Sequence, residues 1–210
     1  MMKAINTNAW PLLLAVVLAL ILLLVELSVG TNDVESWKIA SRWTARIGFP
    51  FFILMFSAPA LSKLWPNDMS RSLVNLRPWF GIAFAASHSF HLFTLLNFLD
   101  ALPERPPTIG LALFIWVYIP IYVMAFTSLL TIRTGSDNNW RLLRETCIYI
   151  IWTALIFVYT SKAIISADQR VISIILCAIA LCAMGIRMTA WLKTKSASLK
   201  KEGCGLATAP

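Results

Sequence analysis

The chain has two imidazoles, His88 and His91, and both fall inside one apolar stretch, RPWFGIAFAASHSFHLFTLLNFLD, from Arg77 to Asp100. Residues three apart share a helix face, so the two rings project the same way. An imidazole in such a stretch either bonds a neighbouring helix or offers a nitrogen lone pair to something bound there. Ser87, Ser89 and Thr94 add hydroxyls nearby, which favours a bound ligand. Neutral imidazole is a common iron ligand, and a haem buried in a helix bundle takes its axial ligands from facing helices. The two axial positions lie on opposite sides of the macrocycle, so His88 and His91, on one face of one helix, cannot both ligate the same haem.

The element that must position them is a membrane helix. Arg77 to Leu99 would span about 33 Å, enough to cross a ~30 Å hydrocarbon core at a tilt. His88 then lies close to the bilayer midplane. Arg77 marks one interface, Pro78 sits in the first turn, and Asp100 with Pro103 marks the other end. The whole chain has the matching composition: 59% hydrophobic, 13% charged, with a mean hydropathy of +0.74. A soluble domain of this size does not carry that balance, and the sequence predicts an all-α polytopic bundle of six transmembrane helices.

The expected spans are residues 10–30, 44–64, 77–99, 109–132, 140–161 and 171–192, within a transmembrane domain of 10–192. Residues 1–9 form a cytoplasmic amino terminus, and 193–210 a basic tail without regular structure. The first span is read as an uncleaved helix rather than a signal peptide, because its n-region has a single Lys and no A-x-A site follows. Pro50 and Pro59 predict kinks in the second helix and Pro120 in the fourth. ALPERPPT, between helices three and four, is an exposed turn. With the amino terminus inside, 12 of the 18 basic residues fall on the cytoplasmic side, which places both termini there. The net charge of +8 is therefore read as orientation and lipid contact, with no nucleic-acid partner. Cys147, Cys177, Cys182 and Cys204 have no CxxC spacing and predict no disulfide framework.

No GxGxxG, Walker A or GxSxG motif occurs, so the chain has no nucleotide or flavin domain of its own. Glu26 is the one acid well inside an apolar run, either a partner for Arg46 or a proton site. Arg187 is expected to snorkel to the headgroups, and most of the tryptophans, at helix ends, to anchor them at the interface.

Between Arg42 and Lys162 the sequence resembles the ferric-reductase-like transmembrane family, the membrane core of ferric reductases and NADPH oxidases and of the methionine sulfoxide reductase membrane subunit. The resemblance lies in the basic connector before helix three, in Arg77 and Gly81 followed by His91 ten residues after the glycine, and in Trp140-Arg-Leu-Leu-Arg144 with Tyr149 and Trp152. It implies haem b held between helices three and five, and single electrons passed from a flavin or quinone donor to an acceptor or redox partner protein. His91 would be the axial ligand and His88 a second candidate, both as iron ligands, with Arg77 and Arg144 near the propionates. One departure stands out: Arg144 occupies the position where the family pattern has the helix-five histidine, and the later position, near Phe157, is not histidine either. Arginine holds its proton and cannot donate to iron. A five-coordinate haem, a thioether from Met124 or Met184, or loss of the haem follow as alternatives.

The leading expectation is therefore an inner-membrane haem electron-transfer subunit, an oxidoreductase component without its own flavin domain. A haem-free scaffold or accessory subunit of the same fold is the alternative, and a small-solute or proton transporter a weaker third.

Overall fold

The computed structural model describes residues 9–29, 34–103, 108–134 and 140–206. These form six α-helices and one 3₁₀ turn, with no strand among the described residues: α1 (Trp10–Val29), α2 (Val34–Leu64), α3 (Asp68–Asp100), α4 (Thr108–Thr134), α5 (Arg141–Ile165), the 3₁₀ turn Ala167–Gln169, and α6 (Arg170–Leu206). Among them, α2, α3, α4, α5 and α6 are each long and apolar enough to cross a membrane, and α1 is apolar over Trp10–Glu26. The protein is an all-α membrane bundle.

Three helices are longer than the sequence pattern predicts by nine residues or more. α2 begins at Val34, ten residues before its expected start, because the polar segment ahead of it contains no Pro or Gly and carries a Glu35–Lys38 ion pair at 2.9 Å across one turn. α3 begins at Asp68 and not at Arg77. Asn67 caps it: the Ser70 amide donates to Asn67 Oδ1 at 2.8 Å, and the Asn67 amide to Ser70 Oγ at 3.2 Å. Pro78, expected in a first turn, is thus ten residues inside the helix, and Arg77 is buried among the helices. α6 runs on to Leu206, so the tail expected to lack structure is helical for most of its length. Between Leu192 and Glu202 nothing breaks a helix.

The chain divides into two compact units, one of residues 1–55 and 76–155, the other of 56–75 and 156–210. The first holds the site. Its core is filled by Phe52, Met55, Phe80, Phe84, Ile121, Met124, Ile148 and Ile151, all fully buried. Membrane helices gain nothing from hiding apolar surface from lipid, so close approach and hydrogen bonds decide where they touch. Ala15 and Ala19, one turn apart on α1, are buried, and Trp10 meets Phe80 edge-on at 6.1 Å. A Cβ on Gly81 of α3 would fall 2.9 Å from Ser128 Oγ of α4. In the second unit, Arg187 of α6 donates to the Phe56 carbonyl at 3.0 Å and lies 4.6 Å over the Phe56 ring. It is engaged within the protein instead of snorkelling to headgroups.

Candidate functional site

Small and polar residues recur on α2 at Ser41, Thr44 and Gly48, and on α3 at Ser87, His88, His91 and Thr94. Spacings of three, four and seven put each set on one helix face, and the two faces meet. Gly48 is the point of closest approach. A Cβ there would lie 2.6 Å from His88 Cε1, 2.6 Å from Ser87 Oγ and 2.7 Å from His88 Nδ1, so the glycine is required by the ring it admits.

His88 is buried, with Nδ1 3.1 Å from the carbonyl of Phe84, one turn back on α3, and its ring 4.1 Å from that of Phe84. A carbonyl can only accept, so Nδ1 carries the hydrogen and Nε2 the lone pair. His91 lies 5.8 Å from His88, ring to ring, in an edge-on arrangement. Ser41 Oγ and Thr44 Oγ1 each stand 3.5 Å from its Nδ1. Thr44 directs its own hydroxyl hydrogen to the Ala40 carbonyl at 2.8 Å, which leaves its oxygen to accept from the His91 ring. Thr44 also touches Thr94 Oγ1 at 3.1 Å, which extends the hydroxyls around the His91 ring between the helices.

Arg77 and Arg144 belong to a separate cluster, eleven residues and about 16 Å back along α3. Arg77 Nη2 donates to Glu145 of α5 at 2.6 Å, and its Nε to the Met55 carbonyl of α2 at 3.3 Å. That carbonyl needs an outside donor because the residue four positions on is Pro59, which has no N–H to give. Arg144 is buried, with Nη1 3.2 Å from Thr131 Oγ1 of α4. The structure thus joins His88 to His91, and Arg77 to the turn of α5 that carries Arg144, but keeps the two pairs apart. The residues that sequence reasoning missed are Gly48, Ser41 and Thr44, opposite the histidines, and Glu145, opposite Arg77. Their one advance signal was the four-residue step from Thr44 to Gly48.

The donor set can be tested against a haem shared by α3 and α5. On α3 the His88 tautomer leaves Nε2 competent to ligate. On α5 Arg144 cannot ligate; His88 commits Nδ1 to the Phe84 carbonyl of its own helix, and His91 turns Nδ1 to Ser41 and Thr44 of α2. Met124 is fully buried and Met184 half-buried. Among the described residues no three of His, Cys, Asp or Glu come together to hold a metal ion. These residues do not fit a haem ligated from both α3 and α5. Comparison with family models, with curated proteins and with solved structures returns no match, so the ferric-reductase-like resemblance rests on the motifs quoted above.

Proposed function

We propose that the chain is a multi-pass membrane subunit of ferric-reductase-like type that works without haem, as a scaffold or accessory subunit for a membrane redox partner. Inner-membrane placement with both termini cytoplasmic belongs to the same reading. The observation that carries it is the α2–α3 seam, where both imidazoles turn Nδ1 to oxygen atoms and Gly48 leaves His88 no spare room on that side. Used in this way, His91 acts as an interhelical hydrogen-bonding group, such a bond being worth about 0.6 kcal/mol and up to about 1.7, while His88 packs against Gly48 with its Nδ1 held by its own helix.

The test is an ultraviolet-visible spectrum of the purified protein, expressed with ample haem, air-oxidised and then reduced with dithionite. A featureless spectrum from folded protein is expected, and replacing both histidines by Gln, which keeps hydrogen-bonding capacity, should leave membrane yield and partner retention near the native level. A Soret band that shifts on reduction, at about one haem per chain, would overturn the reading.

A second reading has one observation in its favour: the His88 hydrogen bond fixes the tautomer that leaves Nε2 free to ligate, the usual role of an oxygen behind a ligand histidine. In that case a single-ligand b-type haem would supply one-electron chemistry. His91→Ala and His88→Ala, made separately, would show which ring carried it by which one loses the Soret band.

A further inference from the structure

α6 is 37 residues long, about 55 Å, against a hydrocarbon core of ~30 Å. Its apolar part begins at Val171, so the surplus lies at the carboxyl end. Where it leaves the apolar region the helix changes composition abruptly. Residues 191–197 are all exposed, Trp191 by 53%. Lys195 lies one turn on from Trp191, with its ammonium 5.1 Å over the indole ring. An indole at that point sits at headgroup depth, which puts the lysine among the phosphates.

The sequence beyond adds to this. Lys193, Lys195, Lys200 and Lys201 face a single acid, Glu202, and the pair Leu-Lys recurs after seven residues, at 192–193 and 199–200, with a further leucine at 206. In sequence, leucines recur at 192, 199 and 206, with Lys193 and Lys200 each following one of them. A basic helical extension joined directly to a membrane span fits a membrane surface, and four clustered lysines next to a span fit an anionic one.

We propose that the carboxyl-terminal extension of α6, from Trp191 to Leu206, binds the anionic phospholipid headgroups of the leaflet from which it emerges. This contact is independent of what the imidazole pair does.

The experiment uses the full chain, with its four cysteines replaced by serine and Ser196→Cys carrying an environment-sensitive fluorophore. It is reconstituted in vesicles of phosphatidylcholine alone or with about a third phosphatidylglycerol. In the anionic vesicles the emission should shift to the blue and become less accessible to an aqueous quencher, and about 0.5 M salt should reverse both by screening. Replacing the four lysines by Gln should abolish the lipid dependence, and each single replacement should weaken it about fivefold. Emission and quenching that are the same in both vesicles would overturn the proposal. So would a shift that survives salt and the four replacements, since that would mark apolar insertion without headgroup recognition. A circular dichroism spectrum matching the native protein shows that a silent variant is folded.

Discussion

At Gly48 the geometry allows one residue type. The α2 backbone passes so close to His88 and Ser87 that a methyl group would overlap three of their atoms, two of which belong to an imidazole held by the Phe84 carbonyl. Neither neighbour can move cheaply: the ring would have to give up its hydrogen bond, and Ser87 Oγ its own to the same carbonyl at 2.8 Å. Gly48→Ala should therefore cost about 1–3 kcal/mol, as overpacking of a filled contact does. Thermal unfolding in detergent reads this as a lowered midpoint, and an unchanged midpoint would mean that α2 and α3 are not packed this way. Adding His88→Ala should recover part of the loss, because it removes two of the three overlapping atoms and leaves only Ser87 Oγ. Two mutations that each destabilise alone but not in sum would identify the ring as Gly48's partner.

Between elements, Arg77 ties three helices together. It sits on α3, pairs with Glu145 of α5, and gives its Nε to the carbonyl on α2 that Pro59 leaves without a donor. The pair is largely buried, with side-chain exposures of 11% for Arg77 and 23% for Glu145. Removing one partner of a buried pair costs about 3–5 kcal/mol, somewhat less where one side keeps some water. Glu145→Gln loses the ion pair alone. Arg77→Met loses it and also uncovers the Met55 carbonyl, so it should be the more damaging of the two. Pro59→Ala restores an N–H to that carbonyl, and in its background the extra cost of Arg77→Met should shrink. Equal effects in both backgrounds would rule out the link between proline and arginine. None of this was legible in the sequence, which showed Pro59 as a kink and Arg77 as an interfacial charge. The reason lies in the start of α3: Pro78 looks like a first-turn proline, and the capping pair Asn67 and Ser70, ten residues earlier, carries no apolar periodicity to draw attention to it. The six apolar segments were legible, because a bilayer demands about twenty consecutive apolar residues and little else. The histidine pair was legible by residue type, but its partners were not, since Ser41, Thr44 and Gly48 are ordinary small residues until another helix meets them.

At the scale of the whole molecule, the bilayer supplies the constraints that water supplies elsewhere. Large apolar side chains are exposed along α1 at Leu13, Leu14, Val17, Leu18, Ile21 and Leu24, and along α6 at Val171, Ile174, Ile175, Ile179 and Leu181, as lipid-facing surfaces require. The polar seam and the arginine cluster lie in the interior of the first unit, where their hydrogen bonds are made within the protein. Orientation is then a question of charge. On the proposed reading six crossings would return the chain to its starting side, and the 12 basic residues that would then share that side, against six opposite, would put both ends in the cytoplasm. Reporter fusions test this directly: one that fluoresces only in the cytoplasm and one that is active only beyond the membrane, each placed at the amino and at the carboxyl terminus. Both ends should give the cytoplasmic signal. A split result, with the amino end outside and the carboxyl end inside, would mean five crossings. It would single out α1, at 20 residues the shortest of the six helices, as a helix that packs on the bundle without traversing it. That outcome would leave the α2–α3 seam untouched, and the basic end of α6 would still meet the leaflet it emerges from.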